Sequence, residues 1–314
     1  MRRLFVAAAF LFGACAGLGA AQAQEVAAAS TSPALPPLTC ATEAVQGGAV
    51  VCRTAPGAVL SLNGAEVAVA DAAGLAVLGL PMDQKSPAKV RLEGPPSVPM
   101  PFDPALREQL VDVAERDDPV SRFEMDCGKI SPQTPEQKRH AEVSWVKKAK
   151  ALEVFSEPVA DLGFSKPADG PYSSPFGAVR TYVPKTPDCK GRTSVHHGLD
   201  IAVGTGTPVV APMGGTVILA DPDLFYEGGC VFVDHGRGLI SILMHMSRID
   251  VKPGDVLQAG GQLGLSGSTG RVTGPHVHWA IKYRNVNSDD RGTDLWLDPS
   301  LLLKLDTVQP PVGE

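Results

Sequence analysis

His276-Val277-His278-Trp279-Ala280-Ile281 is the stretch whose reading decides the fold. Apolar and polar residues alternate through it, which is the signature of a strand whose two faces meet different surroundings. Val277, Trp279 and Ile281 point one way and suit a core, while His276 and His278 point the other way, so two imidazoles look into one space. A second strand is read over Leu239 to Met246. There Ile240, Ile242, Met244 and Met246 make an apolar face, and Ser241 and His245 share the opposite one. Upstream, Val231-Phe232-Val233-Asp234 followed by His235-Gly236-Arg237-Gly238 reads as a strand entering a glycine-rich turn.

Of seven histidines, six fall between residues 196 and 278. The third such segment is His196-His197-Gly198-Leu199-Asp200-Ile201-Ala202. If it is extended, His196, Gly198 and Asp200 share a face, and Gly198 leaves room between the other two. The same spacing could chelate from a helix, but Gly198 and the β-branched neighbours favour the extended form. Two imidazoles and one carboxylate suit zinc, with a fourth position left for water. His196, Asp200 and His278 are therefore the expected ligands of one zinc ion, with His245 and His276 unligated beside it. That set fits metal-assisted hydrolysis: zinc brings the pKa of bound water to about 7 and polarises a carbonyl, while a positioned base moves protons. A His-x-His pair by itself is more often surface or satisfied histidine; the combination carries the reading. His197 faces away from His196 in an extended segment and His235 sits at a hairpin tip, so neither joins the set. No H-E-x-x-H and no G-x-S-x-G occurs, which sets aside the helix-borne zincin plan and the serine-hydrolase elbow.

These segments, with Gly204-Thr205-Gly206-Thr207-Pro208-Val209-Val210-Ala211-Pro212 and Gly270-Arg271-Val272-Thr273-Gly274-Pro275, resemble the lysostaphin/LytM-type peptidases, family M23. Asp234-His235-Gly236, His245-Met246-Ser247 and Val251-Lys252-Pro253-Gly254-Asp255 match the family's pattern in order, and Ser174-Pro175-Phe176-Gly177 is similar to its opening motif. The likeness spans roughly residues 170–300. It implies a mainly β protein whose C-terminal antiparallel β-sheet domain, of the duplicated hybrid-motif kind, is a zinc metallopeptidase acting on peptidoglycan peptides. It also implies zinc on His196, Asp200 and His278, and catalytic assistance from His245 and His276; which of these two is the base is left open. Some relatives have lost ligands and activate cell-wall amidases, so the alternative reading is a non-catalytic regulator with an amidase or divisome partner. The complete set of five residues argues for the enzyme. One departure is a long insert containing Cys189 between Phe176-Gly177 and His196.

Working outward, Thr134, Pro135 and Gln137 read as N-cap, first helical position and capping-box partner of a linking helix over 134–156, with good helix formers to Phe155 and Pro158 as the stop. Its Lys and Arg residues read as a solvated face. Residues 40–128 read as a small β-sandwich-like accessory domain, with alternation in Val59-Leu60-Ser61-Leu62, a type I′ hairpin at Asn63-Gly64, and further strands at Glu66-Val67-Ala68-Val69 and Leu75-Ala76-Val77-Leu78. It carries no reactive cluster and reads as a spacer or adaptor. The peptidase domain is expected over 160–304, with a disordered tail at 305–314.

At the N-terminus, Arg2 and Arg3, an apolar run and Ala21-Gln22-Ala23 form a cleavable secretory signal over 1–23, followed by an Ala/Ser/Pro-rich flexible leader over 24–39. Lipidation at Cys15 fits less well, since Phe12 stands where such signals carry Leu. The mature protein is thus expected in the periplasm, without a membrane span. The chain has 314 residues and 28 Lys and Arg against 34 Asp and Glu; losing Arg2 and Arg3 leaves 26 against 34, a net of −8. That balance argues against nucleic acid. Five of six cysteines remain after cleavage. Cys189 and Cys230, both in the C-terminal half, are expected to pair; the connectivity of Cys40, Cys52 and Cys127 stays open.

Overall fold

Asn63 and Gly64 both take the left-handed backbone, at φ 52° and 89°, and Leu62 faces Ala65 across the turn. This is the two-residue hairpin the Asn-Gly pair predicts. The computed structural model describes residues 38–93, 106–288 and 290–305. The expected signal over 1–23, the leader up to residue 37 and the tail from residue 306 lie outside the described residues.

The first strands are β1 (Thr39–Cys40), β2 (Glu43–Val45), β3 (Ala49–Arg53), β4 (Val59–Leu62), β5 (Ala65–Val69), β6 (Leu75–Gly79), β7 (Ala88–Leu92) and β8 (Glu108–Ala114). They form two sheets, ordered β1-β3-β6 and β2-β8-β7-β4-β5. Val50, Cys52, Leu60, Leu78, Val90 and Val111 fill the space between them. Cys40 and Cys52, opposite each other on β1 and β3, are joined by a disulfide. The three-stranded sheet is buried on both sides. Its alternate residues Val51, Leu75 and Val77 pack into the larger core with Trp279 and Tyr283. The Tyr283 hydroxyl donates to Val67 O at 2.7 Å, with Val77 O at 3.0 Å. The sandwich is thus built into the rest of the molecule.

The next strand, β9 (Val120–Met125), joins neither sandwich sheet. It pairs in parallel with the later strand Val179–Pro184, so the segment grouped by sequence as 40–128 is divided near Ala114. After α1 (Cys127–Ile130), α2 runs from Pro135 to Ala151. Thr134 and Gln137 form the predicted capping box. The helix stops short of Phe155: its end tightens to bonds from Glu153 N–H to Lys150 O and from Val154 N–H to Ala151 O, and Arg284 Nη1 then donates to Leu152 O at 2.9 Å and to Val154 O, with its guanidinium over the Phe155 ring. Nor are its lysines all solvated: Lys147 meets Asp221 at 2.6 Å and Lys148 pairs with Glu227.

The remaining elements are β10 (Tyr172–Ser174), β11 (Val179–Pro184), β12 (Arg192–Val195), β13 (Leu199–Ile201), β14 (Pro208–Val210), β15 (Gly215–Leu224), β16 (Gly228–Asp234), β17 (Leu239–Met246), β18 (Arg248–Ile249), β19 (Val256–Leu257), β20 (Gln262–Leu265), β21 (Val277–Tyr283), β22 (Leu295–Leu297) and α3 (Pro299–Leu302). The main antiparallel sheet runs β10-β13-β21-β17-β16-β15-β19, with β22 also on β21; β14-β20-β18 and β12-β11-β9 are smaller sheets. Leu239, Leu243, Val277, Trp279 and Ile281 bury one face of the main sheet. On the other face Phe232, Ile240, Ile242 and Ala280 pack with Ala151 of α2.

The expected Cys189–Cys230 disulfide does not form; Cys189 is bonded to Cys127. Pairing of Met125 with Pro184 carries Cys127 to the β11–β12 loop where Cys189 lies. Cys230 instead points into the core from β16, where burial pushes its thiol well above its usual range.

His235 is a structural histidine. Nδ1–H donates to Gly214 O at 2.9 Å, and Nε2 accepts from the Ser241 hydroxyl, which in turn accepts from Trp279 Nε1. Burial pushes its pKa from 6.5 down to about 4. The folded state therefore resists protonation that the unfolded chain accepts, so this contribution is full above pH 6.5 and is lost as pH falls toward 4. Urea unfolding of metal-free protein is expected to give a stability about 2 kcal/mol lower at pH 4.5 than at pH 7 from this group, and His235→Asn should flatten the difference by that amount.

Candidate metal centre and groove

Antiparallel pairing of β13 with β21 sets Asp200 directly opposite His278. Just before β13, His196 is fixed by reciprocal backbone bonds, its N–H to Ala178 O and its O from Gly177 N, each 2.9 Å. His278 Nδ1 lies 2.8 Å from Asp200 Oδ1 and 3.0 Å from His196 Nε2, and His196 Nε2 lies 3.1 Å from Asp200 Oδ1. Gly198 has the role its position suggested: a Cβ there would stand 2.4 Å from His278 Nε2 and 2.9 Å from Trp279 O.

His276 and His245 complete a cluster of five. His276 Nε2 is 3.6 Å from Asp200 Oδ1, and the His245 ring centroid is 4.8 Å from that of His276 and 6.0 Å from that of His278. His245 arrives by a route that simple alternation misses. The register between β16 and β17 slips between Val231↔Leu243 and Gly229↔Met246, leaving an extra residue on β17, and His245 sits in this bulge at φ 67°. The bulge sends Met246 to the core with Leu239 and Leu243, and turns His245 into the groove beside Met244. The expected face shared by Ser241 and His245 is thus broken; Ser241 stays on the core side with Trp279.

Backbone carbonyls select the tautomers. Nδ1–H donates to Pro175 O at 2.7 Å in His196, to Thr269 O at 2.9 Å in His245 and to Gly274 O at 2.9 Å in His276. Each ring is left with its Nε2 lone pair available. Burial, joined by His278 and His276, pushes the His245 pKa down to about 3, and burial lowers that of His278. Burial alone would raise Asp200, but the close approach of His196 and His278 outweighs it and holds the carboxyl well below its usual range.

This donor set fits a divalent cation. With Nδ1–H of His196 committed to Pro175, its Nε2 presents a lone pair to Asp200 Oδ1 and to His278 Nδ1, so electron pairs converge where only a proton or cation relieves their repulsion. Zinc bonds of 2.0–2.1 Å place tetrahedral ligands about 3.3 Å apart, close to the separations here.

One contributor was invisible beforehand. Arg180 on β11 donates from Nη2 to Asp200 Oδ2 at 2.6 Å and to Ser174 Oγ at 2.7 Å, fixing the carboxylate from behind. Alternation along Val179-Arg180-Thr181-Tyr182 puts Arg180 and Tyr182 on one face of a strand, but nothing local in the sequence says what such a face covers. The groove beside the cluster measures about 570 Å³, and its walls include Phe123, Tyr182, Tyr226 and Arg271. His197 stacks on Trp296 at its margin, 5.3 Å between centroids.

Comparison with known proteins matches this geometry to a family. The pattern of Peptidase family M23 covers residues 194–290. An uncharacterized metalloprotease of Haemophilus influenzae is 41% identical over 117 residues, 37% of this chain and 24% of that protein. The peptidoglycan DD-endopeptidase ShyA of Vibrio cholerae is 40% identical over 99 residues, 31% of this chain and 23% of that protein. The chain thus spans about a quarter of the length of these relatives. A solved structure from Pseudomonas aeruginosa, described as a peptidase M23, is 32% identical with a TM-score of 0.57, covering 82% of this chain and 94% of that one. The chain belongs to peptidase family M23. Overlap of that extent takes in the sandwich as well as the M23 domain proper.

Proposed function

We propose that this M23 protein is a zinc-dependent endopeptidase that hydrolyses amide bonds in peptidoglycan stem or cross-bridge peptides. The observation that carries this reading is the convergence of three lone-pair donors on one point, with two further imidazoles, in the wall of one groove. His196, Asp200 and His278 would hold one zinc ion. Bound there, zinc supplies an activated water and a Lewis acid for the amide carbonyl. Arg180 holds the Asp200 carboxylate in place. His245 and His276 present Nε2 to the groove, where a neutral imidazole takes up a proton and its protonated form returns one to the leaving amine. The M23 relative named as a peptidoglycan DD-endopeptidase supports the substrate class.

We assign the mature chain to the periplasm. The Ala21-Gln22-Ala23 site and the two disulfides, Cys40–Cys52 and Cys127–Cys189, both suit an oxidising compartment. Among the described residues no helix is long and apolar enough to cross a membrane.

The test is zinc content of the purified protein together with muropeptide release from isolated sacculi. One zinc per chain with release is expected. Zinc without release would favour the amidase-regulator reading, and absence of zinc would overturn the zinc peptidase. Gly198→Ala is expected to weaken zinc affinity at least about tenfold by displacing His278, in keeping with the cost of losing support around a ligand; competition with a chelator measures it.

A further inference from the structure

The groove is lined by charged side chains, and all but one are paired. Asp200 meets Arg180 and the histidines, and Glu227 meets Lys148. Arg271 has no carboxylate within ion-pair distance among the described residues. It is nonetheless held in place. Its N–H donates to Tyr226 O at 2.8 Å, and the next carbonyl, Val272 O, accepts from Lys129 Nζ at 3.1 Å. Its guanidinium carbon lies 4.8 Å from the Tyr226 ring centroid and 5.4 Å from that of Tyr182. All three residues line the groove that also contains His276 and His278. The rings support the guanidinium without using its N–H donors, because cation–π contact leaves them unspent. A guanidinium laid against two rings on a fixed stretch of main chain, without an acidic partner, is a fork for a planar anion, and carboxylate matches it bidentately.

We propose that Arg271 is a specificity-determining residue that binds a free carboxylate of the peptide lying in the groove. Tyr182 and Tyr226 supply flat ring contact, and the neighbouring acid Glu227 is engaged by Lys148, so a peptide carboxylate is preferred over its neutral amide. This rests on the reading of the groove as a peptide site, and it adds a demand on the peptide's charge.

The test compares purified cross-linked muropeptides with the same muropeptides after carbodiimide coupling of their free carboxyls to ammonia. The zinc-loaded full chain is used, measuring both cleavage and equilibrium binding. Wild type should favour the carboxylate form by at least about tenfold, the worth of one charge-assisted hydrogen-bonded pair. In Arg271→Met that ratio should fall to about one, with zinc content at the wild-type level. If Arg271→Met does not fold, Arg271→Lys keeps a charge but not the planar fork, and its ratio should drop severalfold. A wild type indifferent to amidation, or a preference that survives either substitution, would overturn the proposal. Loss of cleavage with the binding preference intact would count against the hydrolase and for the Arg271 site.

Discussion

Replacing His278 with alanine is expected to remove zinc from the protein and to lower muropeptide release at least about a thousandfold, because water activation and carbonyl polarisation leave together with the ion. Its Nδ1 is within 3.0 Å of both other donors, and the two that remain do not make a three-ligand zinc site. The informative contrast is His276→Ala. That ring approaches Asp200 only at 3.6 Å and lies tilted beside His245, so its loss should leave zinc stoichiometric while cutting turnover about a hundredfold or more, as loss of proton transfer does. Metal analysis alongside sacculus digestion separates the two. Equal zinc loss in both variants would mean that the roles given to residues 276 and 278 are exchanged.

The second large effect is on stability. Arg284→Met is expected to destabilise the fold by about 3–5 kcal/mol, the range for breaking one partner of a buried ion pair. Arg284 and Asp234 are both fully buried, with Nη2 to Oδ2 at 2.8 Å. The same Asp234 oxygen also accepts from Ser156 N at 2.8 Å, and Oδ1 accepts from Gly236 N at 3.0 Å. Removing the guanidinium leaves a buried carboxylate uncompensated and frees the chain after α2 from the sheet. Urea unfolding of the zinc-free protein measures the loss. Replacing both partners, Asp234→Leu with Arg284→Met, should cost less than the single change, since no charge is stranded. A single-variant cost below about 1 kcal/mol would show that other contacts hold residues 152–156.

Where the chemistry follows local periodicity, the sequence is readable. His276 and His278 against Val277, Trp279 and Ile281, the left-handed Asn63-Gly64 turn and the Thr134–Gln137 capping box are each decided within a few residues. What stayed hidden depends on partners distant in the chain. His245 obeys a bulge set by its register against β16, so alternation alone put it with Ser241. Cys189 finds Cys127 because β9 runs parallel to β11, and a strand's own residues name its faces but not its neighbour. Arg180 reads as one more charge on a short strand until Asp200 is placed beneath it.

That parallel strand has a consequence for how the protein can be cut and recombined. Phe123 of β9, together with Tyr182 and Arg271, flanks the space beside His196, Asp200 and His278, and the Cys127–Cys189 bond ties the same stretch to the insert. A fragment beginning at residue 130 would keep His196, Asp200 and His278 yet lack part of the wall of that space. The smallest portable piece that keeps this wall whole therefore starts upstream of Val120, and exchange of the N-terminal half between relatives would carry that wall along with it.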